Sequence, residues 1–219
     1  MMNPFQQTLE ELEERCIHLP QNIPSRRLAI LNQLAHWVSE QPLTKPIDIM
    51  IICTHNSRRS QMGQIWLQAA AWHFELQNVR AWSGGTEGTA FYASALSALR
   101  KQGVSIIKTE SDNGIHSNPT YRVQLQDNRP SFYALSTPYM HPMNPNSGFA
   151  AVLVCDTADQ GCPVVQGAAA RFALPYVDPK ISDGSAEEAQ VYSIRSLEIG
   201  TEMFYVMMKA NQLKASAGT

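Results

Sequence analysis

Residues 47–60 read IDIMIICTHNSRRS, and the change of character at Cys53 decides the fold. Residues 47–52 are almost wholly apolar and mostly β-branched, which suits a strand buried on both faces of a parallel sheet. Residues 53–60, CTHNSRRS, are a polar loop. Residues 61–76 are rich in apolar side chains and read as a helix. Strand, loop and helix in that order open a β-α unit.

The alternation continues downstream. Residues 79–82 read as a second strand, followed by the turn-rich SGGTEGT. Residues 93–102 read as a helix that Gly103 stops. Residues 148–154 (GFAAVLV) form another buried strand, and residues 168–174 (AAARFAL) hold a further one near their end. Residues 186–210 read as a long C-terminal helix, with Ile194, Leu197, Ile199, Phe204, Val206 and Met207 supplying apolar surface. Strands alternating with helices imply an α/β fold with a parallel sheet.

Two stretches lie outside this pattern. Phe5, Leu9, Leu12 and Cys16 recur at helical spacing over residues 3–19, and Pro20 and Pro24 stop that helix. Ser25 is placed to cap a second helix with Leu28, Leu31, Ala35 and Val38 on one face. Residues 1–46 are therefore expected to form a helical extension, and residues 47–219 the α/β domain. Within the latter, residues 108–147 are an insertion with five prolines. YRVQLQ and SFYALST suggest a hairpin there, because a structureless loop of this length is unusual in a compact domain.

Composition excludes several classes. A chain of 219 residues can bury a full core without disulfide or metal staples. Charged residues make up only 16% and the net charge is −2, so bulk charge gives no hold on nucleic acid or on a membrane surface. No apolar run reaches the ~18 residues of a span. The acidic, amphipathic start is unlike a secretory signal. A cytoplasmic protein is expected, with reduced cysteines rather than a disulfide framework.

The chemistry-bearing pattern is C-x5-R followed by Ser, from Cys53 to Ser60. A short loop after a strand can curl so that its N–H groups make an anion nest, here Thr54, His55, Asn56, Ser57, Arg58 and Arg59. The following helix N-terminus adds positive potential. Arg59 can close the ring with a planar fork on a tetrahedral oxyanion, and the same field favours the Cys53 thiolate as a nucleophile. Asn56 can hold a left-handed turn, and Ser60 can donate to the sulfur. Read blandly, the same residues are a buried strand-end cysteine with two exposed arginines. His55 is expected to be a loop residue without catalytic duty, and Arg58 to face solvent.

CTHNSRRSQM resembles the phosphate-binding loop of the low-molecular-weight protein tyrosine phosphatase superfamily. It is most similar to thioredoxin-coupled arsenate reductases, in which Gln commonly follows the Arg-Ser pair, as Gln61 does here. The resemblance covers most of residues 47–210. It implies a four-stranded parallel sheet with helices on both faces and a site at the C-terminal ends of the strands. It also implies roles for residues further along. Cys155 and Cys162 in CDTADQGCP match the second and third redox cysteines of those reductases. On a helix their Cα atoms would stand ~10 Å apart, too far for a disulfide, so pairing would need the segment to unwind. Without the resemblance they are a buried and an incidental cysteine, and no companion ligands at finger spacing suggest zinc. Asp178 of Val177-Asp178-Pro179 fits the family's acid, whereas Asp183 reads as a solvated turn residue. Ser83-Gly84-Gly85-Thr86 resembles the S-A-G loop near such sites, though its default reading is a strand-to-loop turn. Phe91 and Tyr92 fit either a substrate rim or the core. Cys16 lies on an apolar stripe and reads as packing.

The chain also departs from the family. Gln64 stands where some reductases carry a potassium-binding Glu, so no strong cation site, metal or cofactor is expected. The Asn-Pro that follows the S-A-G loop is absent, and the helical extension and the insertion are additional. Three readings follow. The first is reduction of arsenate through Cys53, Cys155 and Cys162, with Arg59 and Asp178 assisting and thioredoxin or a similar dithiol as partner. The second is a phosphatase with a phosphocysteine intermediate. The third is a non-catalytic oxyanion sensor. None involves nucleic acid or a membrane.

Overall fold

The computed structural model describes residues 3–42, 44–109, 117–155 and 164–217. Four parallel strands form the main sheet in the order β2-β1-β6-β7: β1 Ile47–Cys53, β2 Val79–Gly85, β6 Phe149–Leu153 and β7 Ala168–Ala173. All of β1 except Asp48 is buried, as its run of isoleucines requires. It sits between β2, in register from Ile47↔Val79 to Cys53↔Gly85, and β6, in register from Ile49↔Ala150 to Ile52↔Leu153. Cys53 therefore emerges at the C-terminal edge of an interior strand, where open α/β sheets form their binding crevices.

Helices flank this sheet. Helix α3 (Arg59–His73) packs on β1, β2 and the C-terminal helix α5 (Glu188–Ala217), which also receives α1 (Pro4–Asn22), α2 (Ser25–Glu40) and α4 (Ala93–Lys101). One continuous core runs through these elements, from Leu9, Leu12, Leu31 and Leu34 on the extension to Trp66 on α3 and Phe204 and Met207 on α5. The stripe Phe5, Leu9, Leu12, Cys16 and Leu19 is buried as the spacing required, and Asn3 caps its helix by accepting from the Phe5 amide.

Several boundaries differ from expectation. Helix α1 continues through Pro20 to Asn22. In the last turn, proline forfeits only its own N–H bond to the Cys16 carbonyl, which a helix end tolerates better than its middle. Helix α2 is not capped by the Ser25 side chain; the Pro24 carbonyl accepts from the Arg27 and Leu28 amides instead. Helix α3 stops at His73 because Glu75 turns left-handed (φ 57°) and Leu76 N–H reaches back to the Ala71 carbonyl. Strand β2 runs on to Gly85, and α5 spans 30 residues, ending at Ala217.

The insertion is partly folded. The expected hairpin is present as β4 (Tyr121–Gln124) and β5 (Phe132–Ala134), and β3 (Ser105–Lys108), which the sequence pattern did not disclose, completes a three-stranded antiparallel sheet. Residues 135–139 then return to the main sheet, where Gly85 bridges Pro138. No helix among the described residues is long and apolar enough to cross a membrane.

Candidate functional site

Cys53 is the last residue of β1 and is buried, with its Sγ 3.0 Å from Ser60 Oγ at the start of α3. Asn56 adopts the left-handed conformation (φ 47°) that turns the loop back towards α3. Its side chain is fully buried and fixes the loop in three directions. Nδ2 donates to Ser60 Oγ at 2.9 Å, and Oδ1 accepts from the Thr137 amide at 2.8 Å and from Gln61 Nε2 at 3.1 Å. Because Ser60 Oγ already accepts from Asn56, its own hydrogen is available to the Cys53 sulfur. Gln61 also donates to the Asn56 and Leu135 carbonyls. Ser57 Oγ donates to the Ala90 carbonyl at 2.6 Å. The half-exposed His55 pairs with Glu87 at 3.0 Å.

The neighbouring loops approach closely. The Thr86 and Glu87 amides donate to the Cys53 and Thr54 carbonyls. A Cβ on Gly85 would stand 2.6 Å from the Thr54 carbonyl oxygen and 2.8 Å from the Asn56 nitrogen, so only glycine lets β2 support the loop there. The stretch 83–86 is therefore more than a turn. The insertion contributes from the other side. Ser136 Oγ donates to the His55 carbonyl, and the Leu135 carbonyl and Thr137 amide bond Gln61 and Asn56. Sequence reasoning missed this buttress, since no local pattern links residues 135–137 to a loop eighty residues earlier.

Arg59 faces the segment that carries Asp178. Its Nη2 lies 2.5 Å from Asp178 Oδ2, and its Nη1 donates to the Tyr176 carbonyl at 2.7 Å. Asp178 also caps the short 3₁₀ turn Pro179–Ser182 by accepting from the Lys180 amide. Cys53, Thr54, His55, Ser57, Arg58, Arg59 and Asp178 line one small depression.

Two expectations are overturned beside it. Arg58 does not face solvent and Asp183 is not merely solvated. Arg58 lies over the Tyr92 ring (3.9 Å to the centroid), donates to Tyr192 Oη at 2.6 Å and pairs with Asp183 at 2.6 Å. Burial opposes the Arg58 charge, but the bonds to Tyr192 and Asp183 outweigh it and hold the guanidinium above its ordinary pKa. Tyr192 and Arg58 together hold the Asp183 carboxyl below its ordinary range despite some desolvation. Tyr92 stacks on Tyr192, with ring centroids 5.6 Å apart, so it belongs to this wall; Phe91 is buried edge-on to Tyr121. A Tyr or Asp in these positions gives no sequence signal, because the cluster joins residues from four separate segments.

Cys155 follows β6, is buried, and brings its Sγ to 3.5 Å from Thr54 Oγ1. Cys162 lies outside the described residues. Cys16 is buried on α1 as expected, and burial pushes its thiol up to about 12. Gln64 accepts from Ser83 and donates to the Ala81 carbonyl, serving the β2 contact. Among the described residues no group of three His, Cys, Asp or Glu side chains is arranged for a metal. A cleft of about 780 Å³ between α1, α2 and α5 lies apart from Cys53 and has no thiol in its lining.

The sequence matches no protein-family model and no curated protein. Solved structures do resemble it. A low-molecular-weight protein tyrosine phosphatase from T. tengcongensis matches at TM-score 0.50 and 14% identity, over 74% of this chain and 99% of that one. A variant of YwlE from Bacillus subtilis matches at TM-score 0.48 and 18% identity, over 77% and 99%. A thioredoxin-dependent arsenate reductase of Corynebacterium glutamicum matches at TM-score 0.39 and 16% identity, over 85% and 79%. The chain thus has the fold of the low-molecular-weight protein tyrosine phosphatases: a four-stranded parallel sheet flanked by helices. At these identities the likeness extends to fold alone.

Proposed function

We propose that the chain is a cysteine-dependent enzyme acting on a tetrahedral oxyanion, with arsenate reduction as its reaction. The observation that carries the general reading is the convergence of Cys53, Arg59 and Asp178 on one depression at the end of an interior strand, with Ser60 bonded to the Cys53 sulfur. Arg59 offers a planar fork to an oxyanion seated in the 54–59 loop. Ser60 steadies the Cys53 thiolate as it forms and again when it leaves.

The contact between Cys155 Sγ and Thr54 favours reduction, because it brings a second thiol to the rim of the loop. Cys53 thiolate attacks arsenic, and Asp178 protonates the departing oxygen, which leaves as water. Cys155 thiolate then attacks Cys53 Sγ. The S–As bond breaks with its electron pair passing to arsenic, so arsenic(V) becomes arsenic(III) and arsenite leaves a Cys53–Cys155 disulfide. Cys162 takes over the bond to Cys155 and frees Cys53 thiolate; an external dithiol such as thioredoxin reduces the Cys155–Cys162 pair. The chemistry needs neither metal nor organic cofactor.

The Asp178 placement equally suits a phosphatase. There Cys53 would form a phosphocysteine, Asp178 would protonate the leaving alcohol and then activate water, and Cys155 and Cys162 would be spectators. One experiment tests both readings. The protein is assayed for arsenate-dependent NADPH oxidation with thioredoxin and its reductase, and for aryl-phosphate hydrolysis. Loss of the first activity with survival of the second in Cys155→Ser supports the reductase. Aryl-phosphate turnover without arsenate turnover defeats it in favour of the phosphatase. Anion binding without either turnover leaves the sensor.

A further inference from the structure

The segment that carries Asp178 has almost no regular structure of its own, yet it is anchored from the N-terminal extension. Arg27, on α2, donates through Nη1 to the Pro175 carbonyl at 2.9 Å, and its guanidinium carbon lies 4.6 Å from the centroid of the Tyr176 ring. The rest of the fork is bidentate to Glu202 on α5, at 2.5 and 2.9 Å. Tyr176 Oη donates to the same carboxylate, and both Tyr176 and Glu202 are buried. The chain then returns to the site at once: the Tyr176 carbonyl accepts from Arg59, and Asp178, two residues on, pairs with Arg59. No other described bond ties α2 to residues 174–178.

We propose that Arg27 is a positioning residue, through which the helical extension sets the place of Asp178 and of the Arg59 fork. Arginine suits the role, because one planar group can meet a carboxylate, a carbonyl and an aromatic face together. Lysine, a point charge, could keep Glu202 company but not the other two. The extension is thus part of the working site without touching the reacting atoms. This inference rests on the reading of Asp178 as the acid, and its test separates the two.

The test is leaving-group dependence. An acid matters most when the leaving alkoxide is poor, so phenyl phosphate needs it and dinitrophenyl phosphate hardly does. Asp178→Asn is the reference and should lose about 100-fold on phenyl phosphate and only a few-fold on the dinitrophenyl ester. Arg27→Met/Glu202→Gln avoids stranding a buried charge. It should lose about tenfold on phenyl phosphate and less than threefold on the other, a share of the acid's contribution. Leu31→Ala, a core cavity on the same helix, should lower the melting temperature with the ratio unchanged. Hydrogen exchange is read in parallel. The Tyr176 amide, bonded to the Val154 carbonyl, should exchange about tenfold faster in the double variant and not in Leu31→Ala.

If Asp178→Asn is selective and the double variant is not, the positioning role is wrong. If Leu31→Ala shifts the ratio as strongly, general loosening explains the effect and the proposal falls. If Asp178→Asn shows no selectivity, the acid assignment fails instead, and if no aryl phosphate is turned over the exchange measurement alone is read. Exchange at Tyr176 then decides whether Arg27 holds the segment: faster exchange upholds it, and unchanged exchange overturns it.

Discussion

The 53–60 loop and the 174–183 segment face each other across the same depression, yet they are held in different ways. The loop has a set of bonds of its own, and residues 86–90 and 135–137 brace it from outside. Asn56, Ser60 and Gln61 bond one another over a span of six residues, and strand and helix fix its two ends. The segment is held from without: by Arg27 and Glu202 at Tyr176, by Arg59 at Asp178, and by Arg58 and Tyr192 at Asp183. The nucleophile and anion site are thus built into a local motif, whereas the acid is delivered by tertiary contacts. Changes in the loop should remove function outright, and changes around the segment should grade it.

The largest effect expected on this contrast is from Cys53→Ser. Turnover of both aryl phosphate and arsenate should fall by at least ~10⁴, as for loss of a nucleophile, with the circular dichroism spectrum unchanged. Arg59→Lys keeps the charge and loses the fork; kcat/KM should drop about 10²- to 10³-fold, with inorganic phosphate a weaker inhibitor. Asn56→Ala strikes the loop's internal bonds. It takes one bond each from Ser60 and Gln61 and leaves the Thr137 amide without its partner, and should cost about 2–3 kcal/mol of stability by urea unfolding, with activity reduced. If Asn56→Ala were as harmless as a surface change, the loop's own bonds would not hold it and the contrast would fail.

Asp183→Asn probes the other side and should be milder, a few-fold in kcat with little change in KM. It also carries a pH signature. The Asp183 carboxyl is held below its ordinary pKa in the fold by Tyr192 and Arg58. Its contribution to stability is therefore present above the unfolded value near ~3.9 and is lost as pH falls through the lower folded value. Urea midpoints measured from pH 6 downwards should show Asp183→Asn removing a small acid-side part of the wild-type decline. An unchanged profile would mean that solvent screens the pair completely. The smallest effect belongs to Cys16. With its thiol pushed up to about 12 by burial, it should resist iodoacetamide in the native protein at pH 8, and Cys16→Ala should leave turnover unchanged.

The same contrast explains what could be read beforehand. The strand 47–53, the polar loop and the helix after it follow from residues adjacent in sequence, so their composition disclosed them. The helical stripe Phe5-Leu9-Leu12-Cys16 was legible for the same reason. Arg58 and Asp183 were misjudged because a charged residue in a loop faces water by default, and only partners far along the chain change that. Strand β3 escaped notice because four residues, three of them exposed, have no pattern until β4 pairs with them.

What the sequence determined by itself is the α/β class and the C-x5-R loop. Both depend on hydrophobic periodicity and on backbone geometry within about a dozen residues. Tertiary structure decided the rest: that residues 135–137 brace the loop, that Cys155 reaches Thr54, and that Arg27 holds Tyr176 beside Asp178. Each of those contacts joins residues 74 or more positions apart, where nothing in local sequence sets the distance. They exist because one shared core brings the extension, the insertion and the sheet together.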